Sequence, residues 1–205
     1  AQDHEGYMDK YLDRQVALAA KHDMYAIIDY HDFYDTRPET PARMMDFWHT
    51  VAQRYAGYEH VIYELFNEPN EGDWENIRGL YEEAIDIIRS YDPDALVIAN
   101  GLEWGYDIHY VHDDPVQRPN VAYGTHPYPG KVSWCDGDVS CMRNSWDHKF
   151  GDVSEDYPVI VTEIGWKPDG SGKEWDDSTE RFGEPFIDYL NEKGIGYSIM
   201  SFTTG

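Results

Sequence analysis

The hydrophobic and polar positions along this chain switch repeatedly between two patterns. Stretches in which apolar residues recur every three or four positions predict amphipathic helices, and short apolar runs between them predict buried strands. The helical faces carry Met8, Leu12, Val16 and Ala19; Met44, Phe47, Trp48, Val51 and Tyr55; Ile77, Leu80, Tyr81, Ala84, Ile88 and Tyr91; and Phe186, Tyr189 and Leu190. The runs are YAIIDYH, VIYELFNEP, ALVIANG, VAYGTHPY, PVIVTEIG and IGYSIMSF. Six strands alternating with helices or long loops predict a parallel sheet covered by helices.

Two helix boundaries can be predicted from single residues. Thr40 followed by Pro41 is typical of a helix start, with the threonine as N-cap and the proline in the first turn. Gly194 is placed to end the last helix. There is no repeat, low-complexity tract or linker along residues 1–205, which are therefore expected to form a single domain.

Polar residues follow the ends of five successive predicted strands. The carboxyl ends of parallel strands meet at one face of a sheet or barrel, where active sites are built from them. These residues are His31 after the first strand, Asn67 and Glu68 after the second, Asn100 after the third, His126 and Tyr128 after the fourth, and Glu163 after the fifth. Solubility alone does not explain such a series, and the pattern indicates a barrel-type active site.

Glu68 and Glu163 are the two carboxylates of interest. Pro69 biases Glu68 towards extended backbone, and Gly165 follows closely on Glu163. Taken singly, an Asn-Glu-Pro segment is a common turn and a glutamate after a strand is most often a salt-bridge partner or helix cap. Together they match the pair that cleavage of a glycosidic bond with retention requires, one as proton donor and one as nucleophile.

The segments IIDYHDF, YELFNEPN, NGLEWGYD, THPYP and VTEIGW resemble the successive strand-end motifs of glycoside hydrolase family 5. This resemblance implies that Glu68 is the acid/base and Glu163 the nucleophile. It also implies that Asn67 hydrogen-bonds the sugar 2-hydroxyl, that His31 and His126 line the subsite of the cleaved sugar, and that Tyr128 donates to Glu163. A metal role for His31 and His126 is disfavoured because neither lies in a tight ligand pair.

The resemblance implies an α/β fold of the (β/α)8 TIM-barrel type, of which only strands 3 to 8 are recognisable here. The 205 residues are expected to be an N-terminally incomplete catalytic domain, without the first two strands and without the arginine that the family places after strand two. The last strand carries Met200 about where the family usually has a tryptophan.

Exposed aromatic rings are the natural partners of the flat apolar faces of sugars. Trp104 and Trp166 lie beside predicted strand ends, and Trp134 lies in the loop after THPYP, so these three are predicted to stack on substrate. Trp48 falls on a helical face and is expected in the core. Trp74, Trp146 and Trp175 fit either role.

Charge and cysteine content narrow the range of partners. Forty acidic against 16 basic residues give a net charge of −24, which disfavours binding to nucleic acid and to anionic membranes and indicates a heavily solvated surface. No apolar run approaches the roughly 20 residues that span a bilayer. Cys135 and Cys141 are predicted to form a disulfide in an oxidising compartment, with two free thiols as the alternative and a metal site disfavoured.

These observations predict a secreted, retaining, endo-acting hydrolase of β-1,4-glucan that needs no cofactor and whose partner is a polysaccharide or oligosaccharide. Two alternatives stay open from the sequence. One is a β-mannanase or another β-glycanase of the same clan. The other is an incomplete barrel that binds glycans without cleaving them.

Overall fold

A computed structural model of the protein describes residues 4–167 and 178–200. Its centre is a six-stranded sheet in which all neighbours are parallel and the spatial order follows the chain. The strands are β1 (Ala26–Asp29), β2 (Val61–Glu64), β3 (Val97–Asn100), β4 (Val121–Thr125), β5 (Val159–Ile164) and β6 (Gly196–Ile199). Each falls within one of the six predicted apolar runs, and the open half-barrel they form confirms the predicted partial (β/α)8 fold.

Helices and short helical turns connect the strands. The α-helices are α1 (His4–Tyr7), α2 (Asp13–Lys21), α3 (Thr40–Tyr55), α4 (Trp74–Tyr91), α5 (Leu102–Gly105), α6 (Val139–Trp146) and α7 (Glu184–Lys193). π-Helical turns lie at Met8–Leu12, Asp147–Gly151 and Thr179–Gly183, and 3-10 turns at His109–His112, Pro129–Cys135 and Val153–Glu155. None of the helices in the described ranges is long and apolar enough to cross a membrane.

One predicted helix boundary is wrong by a residue and the other is right. Thr40 is the first residue of α3, and its hydroxyl donates to the Tyr34 carbonyl at 2.6 Å instead of capping the helix. Glu39 occupies the cap position without a side-chain hydrogen bond. Gly194 ends α7 in the left-handed conformation, with φ of 70°, as the sequence predicts.

The core between sheet and helices also fixes the strand ends that carry the site. Trp48 of α3 is fully buried, and its indole N–H donates to the Leu65 carbonyl at 3.2 Å. Tyr81 of α4 is also fully buried and donates to the Asn100 carbonyl at 2.8 Å. Because both donors come from outer helices, packing of the helices sets the position of the backbone just after β2 and at the end of β3.

The remaining predicted tryptophans and cysteines have definite places. Trp74 and Trp146 are both buried, whereas Trp175 lies outside the described residues. Cys135 and Cys141 are joined in a disulfide that links the Pro129–Cys135 turn to α6.

Candidate active site

Two segments of backbone bring Glu68 and Glu163 to the same end of the sheet. After β2 the chain stays hydrogen-bonded to the segment that follows β1, with Asn67 N–H donating to the Tyr30 carbonyl at 3.0 Å and Glu68 N–H to the Asp32 carbonyl at 3.2 Å. Glu163 lies near the end of β5. One oxygen of each carboxylate and a ring nitrogen of His126 all lie within 4.8 Å of one another.

His126 lies between these carboxylates and is only 1% exposed. Its Nδ1 is 3.1 Å from Glu68 Oε1, and its Nε2 is 2.9 Å from the Thr162 hydroxyl. Burial lowers the pKa of this imidazole, but the Glu64 carboxylate 3.6 Å from Nε2, the hydrogen bond to Glu68 and the charge of Glu163 outweigh it and raise the pKa to about 9. His126 is therefore a cation at neutral pH and balances part of the acidic charge of the site.

Glu64 is a third carboxylate of the site that the sequence analysis did not find. It is 5% exposed, and its Oε1 accepts from Thr162 and from the Asn100 amide, each at 2.6 Å. Because the only hydroxyl proton of Thr162 goes to Glu64, Thr162 must accept from His126 Nε2. A glutamate inside the apolar run VIYELF was the available signal, since a charge buried in a strand needs partners.

Tyr128, three residues after the end of β4, hydrogen-bonds Glu163. Its hydroxyl donates to Glu163 Oε1 at 2.6 Å and lies 3.2 Å from the Met200 sulfur. Burial, with the hydrogen bond to Glu163, raises the pKa of Tyr128 well above its ordinary value. The phenol therefore keeps its proton across the neutral range and remains a donor to the carboxylate.

Asn67 and His31 complete the polar lining. Asn67 is 2% exposed, and its amide nitrogen has no hydrogen-bond partner among the described residues. His31 is more exposed, and its Nδ1 lies 2.8 Å from Asp29 Oδ2. Burial raises the pKa of Asp29, and the hydrogen bond to Asp29 raises the pKa of His31, to which the charges of Glu163 and Glu68 also contribute.

The three tryptophans predicted to stack on substrate differ in how much of each ring is exposed. Trp104 is 48% exposed and lines a cleft of about 270 Å³ with Glu68, Tyr128 and Lys131. Trp134 is 70% exposed and lines a neighbouring pocket of about 480 Å³ that also contains Lys131. The Trp166 ring is half-buried against Phe182, and its indole N–H donates to Thr179 at 3.0 Å. Only Trp104 and Trp134 of these three present largely exposed rings.

The sequence model of the cellulase family, glycosyl hydrolase family 5, matches residues 3–204. The chain belongs to glycoside hydrolase family 5. Among the relatives of this family 5 chain, endoglucanase N of Pectobacterium atrosepticum is 34% identical over 92% of the chain and 40% of its own length. Endoglucanase E-5 of Thermobifida fusca is 28% identical over 97% of the chain and 41% of its own length. The chain thus spans about two fifths of these curated relatives.

Solved structures give the same family assignment. A β-glucanase from Saccharophagus degradans superposes with a TM-score of 0.84 and is 31% identical, covering 94% of this chain and 63% of that protein. The same enzyme in complex with cellotetraose also gives a TM-score of 0.84, at 30% identity. The catalytic domain of the Thermobifida fusca endoglucanase gives 0.80 at 26% identity, covering 99% of this chain and 65% of that domain.

Glu68, His126 and Glu163 are close enough in this family 5 chain to ligate a cation together. Their donor set does not fit a metal, however, because both ring nitrogens of His126 already make hydrogen bonds, to Glu68 and to Thr162. A metal-binding imidazole needs one nitrogen without a proton, whereas the raised pKa of His126 keeps both protonated at neutral pH. The arrangement is suited to proton transfer and nucleophilic attack.

Proposed function

We propose that this family 5 chain is a retaining, endo-acting hydrolase of β-1,4-glucan. The observation that carries the proposal is the spacing of Glu68 and Glu163, with side-chain oxygens within 4.8 Å of each other. Retaining glycosidases hold their two carboxyl groups roughly 5 Å apart, so that one can attack the sugar directly, whereas inverting enzymes leave room for a water molecule.

In the first step Glu163 attacks the anomeric carbon while Glu68 gives its proton to the departing glycosidic oxygen. This forms a glycosyl ester on Glu163 and releases the leaving chain. In the second step Glu68 takes a proton from water, the water oxygen displaces Glu163, and the sugar leaves with its original configuration. The Tyr128 hydroxyl, 2.6 Å from Glu163, stabilises the carboxylate before attack and orients it.

The unpartnered Asn67 amide and the exposed rings support a glycan substrate. Asn67 Nδ2 lies buried beside Glu68 with no protein acceptor in the described residues, so a sugar hydroxyl is a suitable partner. Trp104 and Trp134 offer flat apolar surfaces along adjoining pockets. Several relatives are named endoglucanases, and the cellotetraose complex of the Saccharophagus degradans enzyme supports β-1,4-linked glucose as the substrate.

We also propose that the protein acts outside the cell. Its support is the Cys135–Cys141 disulfide, because disulfides persist in oxidising compartments and are rare in the cytosol. A polymeric substrate is consistent with that location, since a chain too large to be imported must be cut outside.

Replacement of each glutamate by alanine tests the roles. Glu163→Ala should abolish hydrolysis, and added azide should restore part of the turnover and yield an inverted glycosyl azide. Glu68→Ala should keep its first step on 2,4-dinitrophenyl β-cellobioside, whose leaving group needs no proton, and azide should yield a product of retained configuration. Each variant should lose at least about 10³-fold in kcat on cellulose oligosaccharides.

Asp46→Ala, on the exposed face of α3, is the matched control and should leave hydrolysis unchanged. Opposite azide products would reverse the two roles, and unimpaired hydrolysis by both variants would overturn the proposal. The unaltered chain should be compared on carboxymethyl cellulose and mannan. Preference for mannan would make it a mannanase, and tight binding of cello-oligosaccharide without release of reducing sugar would make it a glycan-binding protein.

A further inference from the structure

Three successive residues beside the cleft adopt the left-handed backbone conformation. They are Glu103, Trp104 and Gly105, with φ of 56°, 58° and 71°. Residues that carry a Cβ rarely adopt this conformation, and such outliers persist only where the surroundings hold them. The contacts that hold this turn therefore decide where the Trp104 ring lies.

Two lysines hold the turn. The Lys131 ammonium donates to the Glu103 carbonyl and lies 4.9 Å from the centre of the Trp104 ring, within cation–π range. Lys149 lies 3.2 Å from the Glu103 carboxylate and also pairs with the buried Asp107. Lys131 thus contacts both the strained backbone and the aromatic ring, whereas within the turn Lys149 contacts the Glu103 side chain and not the backbone or the ring.

The turn is also tied to the catalytic segments. Trp104 N–H donates to the Pro69 carbonyl at 3.2 Å, one residue after Glu68, and the Gly105 carbonyl accepts from His126 N–H at 3.0 Å. A Cβ on Gly105 would approach the His126 ring to 3.0 Å, so only glycine allows this contact without displacing the ring. Movement of the turn would therefore displace the backbone next to Glu68 and at His126.

Lys131 lines both the cleft beside Glu68 and the pocket beside Trp134. Glu68 borders this cleft and Glu163 does not. Because Glu68 protonates the departing oxygen in the proposed reaction, the leaving chain lies on this side of the site. Burial lowers the pKa of Lys131, while the charges of Glu103 and Glu68 oppose that effect.

We propose that Lys131 is a positioning residue for the leaving-group side of the cleft: it fixes the strained Glu103–Trp104 turn so that Trp104 can stack on the departing sugar. The effect of Lys131 on catalysis rests on the proposed function. The structural part of the inference, the fixing of Trp104 by Lys131, can be tested without turnover.

The test compares Lys131→Met, Lys131→Arg and the control Lys21→Met, which removes one charge from the exposed end of α2. In Lys131→Met the ¹⁵N-labelled indole resonance of Trp104, assigned with Trp104→Phe, should shift and broaden. The kcat/KM for cellopentaose should fall about tenfold, the size expected for a lost contact to a charged donor. With β-cellobiosyl fluoride, whose leaving group is a single ion, it should change less than about twofold.

Lys131→Arg should restore the Trp104 resonance and most of the cellopentaose activity, since a guanidinium can also donate to a carbonyl and stack on a ring. An unchanged Trp104 resonance in Lys131→Met, or an equal loss on both substrates, would overturn the inference. If the resonance moves but the unaltered chain neither binds nor cleaves cello-oligosaccharides, the proposed function fails and the positioning of Trp104 by Lys131 stands.

Discussion

At the scale of single residues, His126 sets the charge balance of the site. It faces Glu64, Glu68 and Glu163, and the hydrogen-bond chain from Asn100 and Thr162 to Glu64 fixes its surroundings. A buried cation among three carboxylates reduces their mutual repulsion. It also gives Glu68 a hydrogen-bond donor in His126 Nδ1 at 3.1 Å.

The raised pKa of His126 predicts a pH-dependent contribution to stability. Its folded-state pKa of about 9 lies above the ordinary value of 6.5, so the contribution is full below about pH 6.5 and is lost as pH rises through about 9. The expected loss is on the order of 3 kcal/mol. Urea unfolding of the protein and of His126→Gln at pH 6 and pH 10 should show a difference in stability that shrinks at the higher pH.

His22→Gln, on an exposed residue after α2, is the control and should follow the unaltered protein at both values of pH. If His126→Gln kept the same difference from the unaltered protein at pH 6 and pH 10, the imidazole would not be held as a cation.

Some residues of the site could be predicted from the sequence and others could not. Glu68, His126, Tyr128 and Glu163 follow or end strands, so their position relative to the apolar runs made them visible. Thr162 lies inside β5, and Glu64 ends β2 but lies within the longer apolar run VIYELF; the role of both depends on which side chains face each other across the sheet. The role of Lys131 depends on a left-handed turn 28 residues away, which no local pattern predicts.

At the scale of elements, the Cys135–Cys141 loop shapes the pocket wall that carries Trp134. The two cysteines are only six positions apart, and Asp138 caps α6 by accepting from Ser140 N–H at 2.9 Å. Gly137 lies so close to the Arg181 guanidinium that a Cβ there would approach it to 2.8 Å. The loop is therefore held by its own bridge and by the segment before α7.

Removal of the bridge in Cys135→Ser/Cys141→Ser should affect the pocket more than the fold. A disulfide that closes so short a loop stabilises the folded state by only about 2 kcal/mol, because it restricts the unfolded chain only slightly. Urea unfolding should show a loss of about that size, while acrylamide quenching of Trp134 and weaker cello-oligosaccharide binding should report a loosened wall. Thiol titration of the unfolded, unreduced protein should find no thiol, and two titratable thiols would contradict the bridge.

The boundaries of elements were harder to predict than their existence. The apolar run after Val61 continues through Phe66, but strand pairing of β2 stops at Glu64. Leu65 and Phe66 are nevertheless fully buried, and the Leu65 N–H still donates to the Ile98 carbonyl of β3 at 2.9 Å, so burial and backbone hydrogen bonding both continue beyond the last paired residue. Thr40 likewise fits a cap by type, but its hydroxyl has a tertiary acceptor in Tyr34.

At the scale of the whole molecule, the sheet formed by the described residues has two open edges. Within the described ranges β1 pairs only with β2, and β6 pairs only with β5. All four residues of β6 are exposed, including Tyr197 and Ile199. Unpaired edges with apolar side chains can pair with another chain.

The 205-residue chain is therefore expected to self-associate as its concentration rises. Sedimentation velocity between low and high micromolar concentrations should show a rising weight-average mass, and Ile199→Lys should reduce it by placing a charge on the edge. Leu18→Lys, on the exposed part of α2, is the control and should not. A strictly monomeric chain with one sharp unfolding transition would contradict this expectation.

The strand order also governs how the protein can form during its synthesis. Among the described strands, each one after β1 pairs with the strand that precedes it in the chain, so each new unit can add to the growing edge of the sheet as it leaves the ribosome. Glu68 is in place once β2 has joined β1, but Glu163 arrives only with β5. A nascent chain that has folded as far as β4 would therefore hold the proposed proton donor without the proposed nucleophile, and the proposed hydrolysis of a glycan would begin only when β5 docks.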